Sequence, residues 1–237
     1  MKIELLYPEV CCLYGDLMNA EYLSRCIDGA ELVKTPLGEK PLFLSGDADA
    51  AFLCSMPEYA QLLVRDEFRR FSADLDSAIA RGTLFIATGN APEVFYEYIE
   101  DTDGTRTDML GMFPLHAKRD LINRYNSLYL GKFGEDIDIV GFKSQFCHIY
   151  GEKVEPLFHT VRGAGLNPDV MDEGFRVNNF MGTAVLGPLA VLNPPFTRYL
   201  LGLLGIEEPK LFCEKAALDA YDLRLREFSE PDRGFSY

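Results

Sequence analysis

The sequence predicts an α/β fold with a mostly parallel central sheet, and three observations point to it. Apolar runs of strand length alternate with longer helical segments through the first half, the order expected of βαβ units. Hydrophobic residues make up 48% and charged residues 25% of 237, the balance of a globular domain rather than of a disordered or fibrous chain. No repeat or low-complexity run divides the chain, so one large domain over 1–205 with a helical extension over 206–237 is the simplest organisation.

Lys2 to Tyr7 reads as the first strand, buried on both faces if parallel, and Pro8 ends it. Tyr14-Gly15-Asp16 leads into a helix from Leu17 to Ile27, with Asp16 placed to cap its first amides. Ala50 to Cys54 is the next strand, and a long helix runs from Pro57 to Ala80, where Gly82 stops it. Thr83 to Ala87 is a strand that feeds the turn Thr88-Gly89-Asn90. Pro92 opens a short helix over Glu93 to Ile99, and Glu100 to Asp108 is polar enough for an exposed loop. Further on the sequence becomes β-like, with strands at Ser127 to Leu130 and Ile137 to Phe142. Phe180 to Val185 is the last core strand, Phe196 to Leu204 the closing helix, and Glu214 to Phe228 a helix of the extension.

Composition excludes several function classes. Lys+Arg 23 against Asp+Glu 37 gives a net charge of −14, which repels phosphate backbones and anionic lipid, so nucleic acid is not an expected partner. No apolar run spans a bilayer and the start has no signal-peptide pattern, so a cytoplasmic protein without membrane insertion is expected. Cys11, Cys12, Cys26, Cys54, Cys147 and Cys213 show neither zinc-ribbon nor disulfide spacing. His116 and His159 have no ligand cluster near them, so neither metal nor other cofactor is expected.

Several separated motifs, in order, resemble one family. Leu6-Tyr7-Pro8-Glu9 with Leu13-Tyr14-Gly15-Asp16 and Asn19 is similar to L-Y-P-D…L-Y-G-D-x-x-N, and Asp49 to Leu53 with Gln61 to D-L-V-F-I-G-G-G-x-D-R-E-Q. Leu110-Gly111-Met112-Phe113 and Val140-Gly141-Phe142 are similar to G-L-G-L-L and V-G-F-E-N-H, and the block from Asn178 through Gly182-Thr183, Gly187-Pro188-Leu189 and Asn193-Pro194 to N-N-x-x-G-T-Y-L-H-G-P-L…N-P. These are motifs of class I glutamine amidotransferases of the cobyric acid synthase and lipid II isoglutaminyl synthase type. The resemblance, which runs to about Leu204, implies a three-layer, flavodoxin-like fold and a glutamine-hydrolysing subunit that hands ammonia to a Mur-ligase-like, ATP-dependent partner. The chain has no P-loop of its own for such a step.

The departures from the family pattern concentrate at its catalytic positions. The family elbow reads C-G-G-Y-Q, and here Thr88 stands at the nucleophile and Asn90-Ala91-Pro92 at G-Y-Q; Leu186 stands at the histidine base of G-T-Y-L-H-G-P-L. A threonine hydroxyl needs a base beside it to attack an amide, and leucine accepts no proton. The oxyanion loop G-G-G becomes Cys54-Ser55-Met56, and E-N-H becomes Lys143-Ser144-Gln145 in the pocket wall.

Each residue also has a plainer role. Thr88 suits a turn bonded to local backbone, Cys54 a buried strand end, Asp16 and Glu93 helix starts, and Asn178-Asn179 a tight turn. Cys147 and His148 point to opposite faces of an extended segment, which does not make a nucleophile and base pair. The mixed charges Glu58, Arg65, Asp66, Glu67, Arg69 and Arg70 read as a solvated helix face. No Cys–His catalytic pair is therefore expected, and the old site becomes a pocket bounded by Asp16, Cys54, Ser55, Thr88, Gly89, Asn90 and Gln145. Two readings stay open: a non-hydrolysing subunit that binds a Mur-ligase-like or other protein partner, and an active amidotransferase or amide hydrolase that uses displaced residues, with Thr88, Cys54 and Asp16 as candidates.

Overall fold

Four consecutive buried residues in Ile3–Leu6 leave no polar face for water, as a strand covered on both sides requires. The structure, a computed structural model, describes residues 1–235. Its first half contains β1 (Lys2–Leu6), α1 (Met18–Arg25), β2 (Glu31–Thr35), α2 (Leu42–Ser45), β3 (Ala50–Leu53), α3 (Glu58–Arg69), α4 (Ser72–Ala80) and β4 (Leu84–Thr88). There follow β5 (Tyr98–Asp101), β6 (Arg106–Asp108), β7 (Leu115–Arg119), β8 (Tyr125–Phe133), β9 (Ile137–Gln145), β10 (Cys147–Gly151), β11 (Phe158–Arg162), β12 (Asp172–Glu173), β13 (Phe175–Val177) and β14 (Phe180–Thr183). α5 (Leu189–Leu192), α6 (Pro194–Leu203) and α7 (Glu214–Ser229) close the chain.

The central sheet has the order β13-β14-β4-β3-β1-β2, parallel throughout except where β13 runs against β14. Leu53 is in register with Ala87, and Thr88 with Thr183. The carboxyl ends of β3, β4 and β14 therefore lie side by side, the edge at which open α/β sheets hold ligands. The apolar centre is built largely from phenylalanine: Phe85 stacks on Phe180 with centroids 4.6 Å apart, and Phe43, Phe68 and Phe95 close around them. Two four-stranded sheets, β10-β7-β5-β6 and β12-β11-β8-β9, are added between β4 and the final core strands. No helix among the described residues is long and apolar enough to cross a membrane.

Four expectations need correction. The long helix after Pro57 breaks at Arg70–Phe71, where Phe71 leaves helical geometry; α4 then turns Leu75 and Ala78 into the core and packs on α2. The helix expected after Pro92 is one 3₁₀ segment, Ala91–Phe95, because Tyr96 is extended and Tyr98–Asp101 pairs in parallel with β7. The loop over Glu100 to Asp108 is a hairpin, held by Arg106 on the Glu100 carboxylate and over the Tyr98 ring. The α3 charges are not all solvated: Glu67 is buried beneath Arg70, and Arg65 and Arg69 reach the carbonyl of Asp108.

The extension is fastened to the domain. Tyr221, Phe228 and Phe235 cover Leu130 and Val140 of the β8–β9 hairpin. Arg162 donates to the carbonyls of Phe228, Glu230 and Arg233 at 2.6–2.7 Å, and its guanidinium lies 4.2 Å from the Phe235 ring centroid. Leu128 N–H adds a bond to Phe235 carbonyl. Ser236 and Tyr237, the end of the expected extension, lie outside the described residues.

Candidate functional site

At the end of β4 the chain turns at Gly89, whose φ of +65° is open to glycine and strained for other residues. Thr88 remains in the strand, fully buried, and its Oγ1 donates to Asp16 Oδ2 at 2.6 Å. Ser55 Oγ donates to the same carboxylate oxygen at 3.0 Å, and Asn19 Nδ2 lies 3.4 Å from the other. Burial pushes the Asp16 carboxyl up to about 6, against the pull of these donors. Asp16 therefore does not cap α1 with its side chain, as the sequence suggested; it ties the loop before α1 to the ends of β3 and β4.

The neighbouring loops are equally committed. Asn90 holds the Met56 backbone at both ends, accepting from its N–H at 3.0 Å and donating to its carbonyl at 2.7 Å. Leu186 is buried and bridged to Phe142 by two backbone bonds, and its Cδ2 lies 3.1 Å from where a Cβ on Gly89 would sit. Cys54 is buried behind the loop, with its thiol pushed well above the ordinary range by burial.

A cavity of about 280 Å³ opens in front of this turn. Ser55, Gly89, Asn90 and Gln145 line it, whereas Asp16, Cys54 and Thr88 stand behind its floor: Thr88 and Asp16 are buried and bonded to each other, and Cys54 is buried just past the end of β3. Glu93, Arg119, Arg124 and Cys147 also line the cavity, and none of them was assigned to a pocket by sequence. Glu93 is buried, accepts from Gln61 Nε2 at 2.8 Å and faces the Cys147 thiol, and burial raises its carboxyl to about 7. Its signal in the sequence was an acid set between Pro92 and Val94-Phe95, apolar on both sides. Arg119 is paired with Asp101, and Arg124 lies over Phe146 at 4.3 Å and donates to Tyr14 Oη at 3.2 Å.

Lys143, expected in the pocket wall, points the other way. Its ammonium is buried and bonds Glu173 Oε2 at 2.6 Å together with the carbonyls of Ala164 and Gly165. Gln145 does face the cavity, with its Oε1 buried and without a protein partner. Cys147 is buried at the start of β10 and His148 is half-buried against Tyr125, so the two do not form a pair. Asn178 and Asn179 make the expected turn, donating to the carbonyls of Ile79 and Gly82. Among the described residues no cluster of three or more His, Cys, Asp or Glu is arranged to hold a metal ion.

Comparison with known proteins agrees with this architecture. The chain is 22% identical over 240 residues to the lipid II isoglutaminyl synthase (glutamine-hydrolyzing) subunit GatD of Streptococcus pneumoniae, a match covering 97% of this chain and 89% of that one. A crystal structure of a glutamine amidotransferase superposes with a TM-score of 0.52 at 14% identity, over 86% of this chain and 99% of the other. No protein-family model matches the chain. The chain thus has the fold of a glutamine amidotransferase and is similar in sequence to a synthase subunit.

Proposed function

We propose that this chain is an amidotransferase-like subunit that does not hydrolyse glutamine by a Cys–His route and acts by binding a protein partner, a Mur-ligase-like, ATP-dependent enzyme being the first candidate. What carries this reading is the commitment of Thr88: its hydroxyl is buried and donated to Asp16, behind the cavity floor. Three further features support it. Leu186 fills the position beside Gly89 where an imidazole would have to stand, and a leucine side chain takes no proton. The Met56 amide, on the loop that the resemblance equates with the oxyanion loop, is already donated to Asn90. None of the three histidines, His116, His148 and His159, lines the cavity. The name of the relative, a synthase subunit, is the reason for proposing a partner.

The purified chain is expected to release no ammonia from glutamine above the rate of a Thr88→Ala variant, alone or with a Mur-ligase-like protein added. Co-elution of the two proteins in gel filtration is the positive expectation. Ammonia release that is lost in Thr88→Ala or Cys54→Ala would overturn the reading. Loss in Thr88→Ala would favour the second one, an amide hydrolase in which Asp16 takes the Thr88 proton, for which the 2.6 Å bond between them is the supporting observation.

A further inference from the structure

Two cysteines far apart in sequence, Cys26 and Cys213, line one cavity that shares no lining residue with the cavity beside Gly89. Cys26 follows the last turn of α1, and Cys213 precedes the first turn of α7. Both line one open cavity of about 590 Å³, together with Arg25, Lys210 and Phe212. The loop carrying Cys213 is docked on α1 by two hydrogen bonds: Tyr22 Oη donates to Phe212 carbonyl at 3.1 Å, and Phe212 N–H donates to Cys26 Sγ at 3.3 Å. The Arg25 guanidinium, 5.3 Å from the Phe212 ring centroid, reinforces the contact.

The Cys26 sulfur thus touches the residue that immediately precedes Cys213, whose Cα is about 3.8 Å further along the chain. Cys213 itself sits at φ +52°, a left-handed conformation that a side chain makes costly. The two thiols differ in exposure. Cys213 is open to solvent, whereas Cys26 is half-buried and held protonated by that burial.

We propose that Cys26 and Cys213 form a reversible dithiol–disulfide pair that responds to a peroxide and locks the start of α7 to the end of α1. Cys213 sulfur attacks the peroxide, the S–O bond forming as the O–O bond breaks, and one water leaves. Cys26 sulfur then displaces the oxygen of this sulfenic acid, forming the S–S bond and releasing a second water that carries the Cys26 proton. Two thiols and one hydrogen peroxide thus become one disulfide and two waters, and an added dithiol reverses the bond.

The test uses the reduced full chain, treated with hydrogen peroxide, alkylated and digested with trypsin without reduction. Cleavage after Arg25, Lys34, Lys210 and Lys215 isolates each cysteine in its own peptide, 26–34 and 211–215. The expected product is these two peptides joined, two hydrogens lighter than their sum, abolished in Cys213→Ser, retained in Cys12→Ser and removed by dithiothreitol. The melting temperature should rise on oxidation of the wild type and stay unchanged in Cys213→Ser. Recovery of both peptides singly alkylated at peroxide levels that oxidise the exposed Cys12 would overturn the proposal. So would irreversible oxidation of Cys213 alone, or its bonding to Cys12 in place of Cys26.

Discussion

Gly89 concentrates the constraints on the turn. A Cβ there would lie 1.9 Å from Ser55 Oγ, displacing the hydroxyl from Asp16, on a backbone whose φ of +65° already disfavours a side chain. Gly89→Ala is expected to cost roughly 2–4 kcal/mol, from the left-handed backbone and the broken hydrogen bond. Adding Ser55→Gly should recover the part due to the clash and leave the backbone part, so urea unfolding of the two single variants and the double variant should be non-additive. Strict additivity would contradict the contact. Glu93 makes a pH prediction of definite sign. Its carboxyl is raised from 4.5 to about 7 in the fold, so the native state holds the proton longer than the unfolded chain does. Its contribution is fully present below about pH 4.5 and fades as pH rises through about 7, on the order of 3 kcal/mol in all. Glu93→Gln should remove that slope, read as the difference in unfolding free energy between wild type and variant from pH 4.5 to 7. A difference that does not change with pH would place Glu93 in contact with water. The family resemblance placed Ser55, Gly89, Asn90 and Gln145 around the turn, and these four line the cavity. It could not reveal that Thr88 and Ser55 share one Asp16 oxygen, because those bonds join residues 72 and 39 positions apart.

At the scale of elements, strands buried on both faces were legible from their apolar runs, and so were α6 and α7. The hairpin of β5 and β6 was not. Apart from the buried Ile99, Tyr98 to Asp101 and Arg106 to Asp108 are polar or half-exposed, and what makes them strands is the pairing of Tyr98 with His116 and of Glu100 with Arg106 across the sheet. The break between α3 and α4 was hidden for a related reason: nothing at Arg70-Phe71 stops a helix locally, and packing on α2 decides it. The most testable element is the strap after α7. Arg162 satisfies three carbonyls at 2.6–2.7 Å with one planar fork, a geometry that a lysine ammonium does not reproduce. Arg162→Lys should therefore lower stability by about 1–2 kcal/mol. In hydrogen exchange it should speed the Leu128 amide, whose acceptor is Phe235 carbonyl, while the amides of β4 keep their protection. Unchanged exchange at Leu128 would mean that the strap is held by its aromatic side chains alone.

At the scale of the molecule, the sequence suggests a domain that ends near residue 205 with an appended helix, and the structure makes the appended part a cover. Leu130 and Val140 belong to the β8–β9 hairpin, whose other side reaches the central fold through Phe133 on Phe158 and Phe196. Without Tyr221, Phe228 and Phe235 these residues would face water. Burial of three aromatic side chains contributes on the order of 5 kcal/mol, which is comparable to the whole stability of many domains. A chain ending at Gly205 is therefore expected to melt at a much lower temperature than the full protein, to bind a hydrophobic dye, or to aggregate. Melting at the full-length temperature would show that the hairpin needs no cover and that residues 206–235 form a separable arm. The same experiment bears on partner binding. If a Mur-ligase-like protein docks on α7, a truncated chain that keeps its fold would lose the complex. If the partner docks at the cavity beside Gly89, a folded truncated chain would keep it, and only changes around Arg124 and Tyr14 would weaken it.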